Sequence, residues 1–171
     1  NQYVTAAKRE VYGDVALDLV AGPSEIMIIA DRTAYPEHIA ADMLSQVEHG
    51  SGLEQAVLVT DDETLSAAVG EELEREIPRR QRAAAIRRCM EEGVCVVHVK
   101  DMEEAVTVCN SYAPEHLEII TTDPASRSKQ VNAAGAIFIG PWTPEPVGDF
   151  VAGPSHVLPT GGTAKFFDGL T

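Results

Sequence analysis

The chain has 171 residues, with 27 Asp and Glu against 13 Lys and Arg, a formal net charge of −14. That negative surplus repels a phosphate backbone and an anionic bilayer alike, so nucleic acid and membrane surfaces are excluded as expected partners. With 44% apolar residues, a chain of this size is expected to bury about two-thirds of its unfolded surface in one core.

The polar opening NQYVTAAKRE lacks the apolar heart of a signal peptide, and no run approaches the roughly 20 apolar residues of a membrane span. A cytoplasmic protein is expected. Residues 1–24 hold one candidate strand, DVALDLV, and a turn at AGPS. From Glu25 onward short Ile- and Val-rich runs alternate with stretches of helical period, the pattern of repeated βα units. The runs are EIMIIAD (25–31), AVLVTD (56–61), VCVVHV (94–99), HLEIIT (116–121) and AIFIG (136–140). Their near-continuous apolarity predicts strands covered on both faces, hence a doubly wound α/β fold with a mainly parallel sheet. Helices are predicted over 36–49, 62–75, 80–92, 101–111 and 124–133, with Pro78 breaking the stretch between the second and third strands. Residues 141–171, rich in Gly and Pro, read as a loop-rich C-terminal tail. Cys89, Cys95 and Cys109 show no CxxC spacing and are expected as reduced thiols.

Four places combine chemically capable side chains with backbone punctuation. In AGPSE, Gly22 and Pro23 present Ser24 just before the first strong strand, where its hydroxyl serves either a ligand or a local backbone N–H. In LSQVEHG, Gln46 and His49 stand at i and i+3, neighbours on one helix face that can converge on one ion. His49 can equally cap the helix end that Gly50 terminates. In YAPEHLEI, Glu115 and His116 sit where Pro114 leads into a strand, as a pair able to move protons near neutral pH or as an ordinary polar loop. In GDFVAGPSHVLPTGG, Asp149 and His156 lie in the tail, and Asp149 can complete a site with Gln46 and His49. Three such ligands leave a zinc ion an open position, whereas Ca²⁺ and Mg²⁺ prefer all-oxygen shells.

Together the blocks NQYVTAAK, LDLVAGPSEIMIIAD, LSQVEHG, YAPEHLEI and AGAIFIGPWTPEPVGDFVAGPSHVLPTGG resemble histidinol dehydrogenase. The resemblance runs the whole length of the chain and implies an incomplete Rossmann-like sheet. It implies that Gln46, His49 and Asp149 bind Zn²⁺, one ion per active site, and also approach the substrate. It further implies that Ser24 and His156 belong to the substrate pocket, that His116 is the principal acid–base residue and also meets substrate, and that Glu115 helps activate water. Asn1 matches a family asparagine that contacts NAD.

The implied reaction is oxidation of L-histidinol to L-histidine through an aldehyde, with two NAD⁺ consumed in turn, the last step of histidine biosynthesis. The cationic substrate suits the acidic surface. The family's fourth zinc ligand, a histidine, and a substrate-binding glutamate fall beyond Thr171, and further NAD contacts precede Asn1. The chain is therefore expected to be a central part of the enzyme, with little turnover by itself. Three regions are expected: 1–24, belonging with a neighbouring cofactor-binding part; 25–140, the α/β catalytic domain; and 141–171, an active-site tail. A homodimer is implied. Ser155 stands where family members commonly have asparagine, and no GxGxxG is present. The alternative is a non-catalytic α/β module that binds a small ligand or a metal.

Overall fold

The computed structural model describes residues 2–169. Five aliphatic runs form β1 (Glu25–Ala30), β2 (Gln55–Thr60), β3 (Val94–His98), β4 (His116–Ile120) and β5 (Ala136–Ile139). All pair in parallel, in the order β3-β2-β1-β4-β5. β1 is central: Ile26 lies opposite Ala56 on one side and His116 on the other.

The helices are α1 (Gln2–Glu10), α2 (Pro36–Val47), α3 (Glu63–Glu76), α4 (Ala83–Glu92), α5 (Met102–Tyr112), α6 (Pro124–Ser128) and α7 (Glu145–Phe150). Three begin on an aspartate whose carboxylate accepts a first-turn N–H: Asp62 from Leu65, Asp101 from Glu104 and Asp123 from Ser126. Pro78 falls in a 3₁₀ turn between α3 and α4, as its missing N–H requires.

Alternation along β1 divides the core. Ile26 and Ile28 pack with Ile39, Met43, Leu65 and Ile86 from α2, α3 and α4. Met27 and Ile29 pack with Met102, Ala105 and Cys109 of α5 on the opposite face. Helices thus cover both sides, which makes the fold doubly wound. Ile28 is fully buried, and Ile28→Ala is expected to cost about 2–5 kcal/mol, read as a lowered urea midpoint at unchanged slope.

Three expectations are corrected. β3 and β5 are not covered on both faces: they form the two sheet edges, and Val96, Ile137 and Ile139 are exposed. DVALDLV is not a strand: Lys8 of α1 donates to the Asp18 carboxylate and to the Leu19 carbonyl, which ties this segment to α1 and not to the sheet. Among the described residues its one pairing is the isolated Tyr12–Val15 bridge, and Val15 is 56% exposed. The predicted helix 124–133 stops at Ser128, beyond which Asn110 takes over the backbone. Its amide donates to the Gln130 carbonyl and its carbonyl accepts the Asn132 N–H. The sequence also gave no sign of α1, nor of α7 inside the Gly- and Pro-rich tail, although residues 151–162 do lack helix and strand. Among the described residues, no helix is long and apolar enough to cross a membrane.

Candidate active site

α5 ends on Ala113, which is buried and has φ +57°, a left-handed conformation that side chains other than glycine adopt at a cost of about 1–2 kcal/mol. Pro114 follows and cannot continue a helix, so the chain turns directly into β4. That turn delivers Glu115 and His116 to the amino-terminal edge of the sheet, both buried. Open parallel sheets usually bind ligands at the opposite edge, where the β1/β4 crossover opens a crevice. Here Asp31 spans that crevice, its carboxylate accepting from the Thr122 N–H at 2.7 Å and the Thr33 N–H at 2.9 Å.

His116 Nδ1 lies 3.1 Å from the carbonyl oxygen of Glu25. A carbonyl only accepts, so Nδ1 carries the proton and Nε2 of the neutral ring is a free base. Nε2 has no hydrogen-bond partner among the described residues and lies 3.6 Å from Glu145 Oε1. Burial lowers the His116 pKa, outweighing the opposing pull of the Glu25 carbonyl and Asp149. The ring is therefore neutral at pH 7.

Glu115 Oε2 accepts the Glu25 N–H at 2.9 Å. Burial pushes this carboxyl up to about 8, and the charges of Glu25, Asp149 and Glu145 add to the rise. Glu145, the first residue of α7, is raised to about 6 by burial and by Asp149. The ligand atoms of His116, Glu145 and Asp149 all lie within 4.8 Å of one another. Glu145 is a member that the sequence reading missed; its only signal was an acid between two prolines ahead of Asp149.

α2 brings the second half. Its helix ends at Val47, so His49 sits in the turn beyond, before Gly50 at φ +85°. His49 Nδ1 contacts the Ser45 carbonyl at 3.2 Å, which caps the helix end and leaves Nε2 as the acceptor nitrogen. His49 and Asp149 line one cavity of about 680 Å³, together with Ser45 and Glu145. Gln46 is fully buried, and neither its carbonyl oxygen nor its amide nitrogen has a partner among the described residues. Leaving such an amide unsatisfied costs about 1–3 kcal/mol.

Ser24 is half-buried in the turn before β1, and its carbonyl accepts the Gln55 N–H. That turn is tied to the tail, since the Gly22 N–H donates to Thr160 Oγ1 and the Gly161 N–H to Glu25 Oε1. A second cavity of about 570 Å³ adjoins His116 and Asp149 and is walled by Phe138, Val147, Ser155 and Leu158. Its wall includes Ser155, while the neighbouring His156 is exposed. Asn1 lies outside the described residues.

The family model for histidinol dehydrogenase matches residues 1–171. Histidinol dehydrogenase of Heliobacterium mobile is 52% identical over 170 residues, which cover 99% of this chain and 40% of that protein. The Bacillus subtilis enzyme is 52% identical over 97% of this chain and 39% of its own length. In structure, the chain matches the crystal structure of histidinol dehydrogenase from Elizabethkingia anophelis with a TM-score of 0.94 at 36% identity, covering 100% of this chain and 39% of that one. The chain thus spans about 40% of the length of these relatives.

Proposed function

Because the chain belongs to the histidinol dehydrogenase family, we propose that it supplies catalytic machinery for oxidising L-histidinol to L-histidine with two NAD⁺. The observation that carries this reading is His116, a buried neutral imidazole whose tautomer is fixed with Nε2 unpartnered, beside Glu115 and Asp149. An alcohol oxidation needs such a base.

Gln46, His49 and Asp149 are proposed to hold Zn²⁺. The donor set fits: one imidazole nitrogen and two oxygens suit zinc better than the harder cations. The unpartnered Gln46 amide in particular is accounted for by a ligand. Bound there, zinc supplies positive charge that fixes and polarises the substrate. Ser24 and His156 are proposed for the substrate pocket and Asn1 for NAD. The division at residues 24 and 140, the homodimer and the cytoplasmic location remain part of the same proposal.

The steps follow from the side chains. His116 Nε2 accepts the alcohol proton as hydride passes to the first NAD⁺, giving the aldehyde, NADH and one proton. As water attacks the aldehyde, His116 returns its proton to the aldehyde oxygen and Glu115, once ionised, takes a proton from the water, which gives the hydrate and frees Nε2. The hydrate then loses its hydride to the second NAD⁺, and His116 accepts the second hydroxyl proton. The buried setting of both groups limits competing water.

In the native protein containing these residues, two NADH are expected per histidinol consumed, and a protein that forms none overturns the proposal. Chelation is expected to abolish turnover, and one equivalent of Zn²⁺ per chain to restore it. Gln46→Leu removes both amide atoms and should lower zinc occupancy, measured by metal analysis after dialysis.

A further inference from the structure

Glu118 is the third residue of β4 and only 2% exposed. A carboxyl in the middle of a buried strand is costly unless its oxygens find partners. In a strand, residues two apart share a face, so Glu118 projects to the same side as His116, away from Leu117 and Ile119. Glu118 Oε1 accepts the N–H of Glu145 at 2.7 Å, at the start of α7. Its carboxyl also lies against that of Asp42, a buried residue of α2 one turn before Gln46, and its Oε2 has no other partner among the described residues. Two carboxyl groups buried side by side repel one another unless a proton sits between them.

One side chain therefore joins three elements: α2 carrying Gln46, β4 carrying His116, and α7 carrying Glu145 and Asp149. We propose that Glu118 is a positioning residue whose contacts with Asp42 and the Glu145 N–H hold α2, β4 and α7 at the spacing the active site requires. This rests on the dehydrogenase reading above. Without the carboxyl, the Glu145 N–H at the start of α7 loses its acceptor on β4, which leaves the 3.6 Å approach of Glu145 to His116 between the two elements.

The test compares Glu118→Gln with Glu118→Leu in the native protein. The Gln carbonyl can still accept from Glu145, and its amide can donate to Asp42, so this variant rescues both contacts without the shared proton. Leu fits a buried strand but makes neither contact. For Glu118→Leu, kcat is expected to fall about 10²-fold, as for a displacement of about 1 Å at the chemistry. Zinc affinity, measured by chelator competition, is expected to fall about 10–100-fold, while KM for NAD⁺ holds. Glu118→Gln should match the native protein in all three.

A crystal structure of Glu118→Leu should show His116 Nε2 and Glu145 Oε1 moved from their 3.6 Å separation by about 1 Å or more. An unchanged separation, or a Gln variant displaced as far as the Leu variant, overturns the proposal. The structural readout does not depend on turnover, so it stands apart from the dehydrogenase reading, which fails instead if the native protein forms no NADH.

Discussion

His116→Asn lowers kcat by about 10²–10⁴-fold, the usual contribution of a positioned acid–base group. The substitution is informative because it separates the two ring nitrogens. The Asn amide can still donate to the Glu25 carbonyl that Nδ1 contacts at 3.1 Å, so the fold and the start of β4 are retained. Nothing then replaces Nε2 as a base. KM for NAD⁺ and zinc content should stay near native values while turnover collapses. The pH profile provides a second check. Burial lowers the His116 pKa below its ordinary 6.5, so in the native protein kcat/KM rises through a value below that. This limb is absent in the Asn variant. Native turnover by His116→Asn removes His116 from the mechanism.

Glu115→Gln raises the stability of the metal-free protein while it abolishes conversion of the aldehyde to the acid. The Glu115 carboxyl is held up to about 8 in the folded chain, first by burial, against an ordinary value of 4.5. Between those values the folded state keeps the proton and the unfolded state releases it. Native stability therefore falls as pH rises from about 4.5 to about 8. A glutamine cannot ionise and escapes this loss, while its carbonyl still accepts the Glu25 N–H. The gain should be absent below pH 4.5 and reach about 1–3 kcal/mol near pH 7, seen as an upward shift of the denaturant midpoint. Equal stability of the two proteins from pH 4 to pH 8 would show that Glu115 is not held protonated. On the proposed reading, the burial that keeps this carboxylic acid protonated at neutral pH costs stability and sets the group's chemistry.

The central strands were legible because burial on both faces leaves no room for alternation: EIMIIA, AVLVT and HLEII are nearly unbroken apolar runs. The edge strands look the same in sequence, since VCVVH and AIFI differ from the central runs only in how many neighbours they have, which is a property of topology. Glu115 and His116 were visible through Pro114, which marks the turn into β4. Gln46 and His49 were visible through their spacing, although α2 ends at Val47 and the His49 ring is set by the Ser45 carbonyl instead of by helix periodicity. Glu145 was not visible, because α7 has only six residues, too few to show a period, and acquires meaning only where it returns against β4. Asp42 and Glu118 were hidden for a related reason. A polar residue in a helix or strand pattern is read as facing solvent, and only the folded chain shows these two buried and facing each other.

Anomalous scattering at the zinc edge, from crystals of the native protein grown with Zn²⁺, addresses the convergence of α2, β4 and the tail. The account predicts a single strong peak about 2.0–2.2 Å from a ring nitrogen of His49 and a carboxylate oxygen of Asp149, with the Gln46 carbonyl oxygen completing the approach and His116 Nε2 free. A peak seated instead among His116, Glu145 and Asp149, or a fully loaded protein with no zinc near His49, contradicts it.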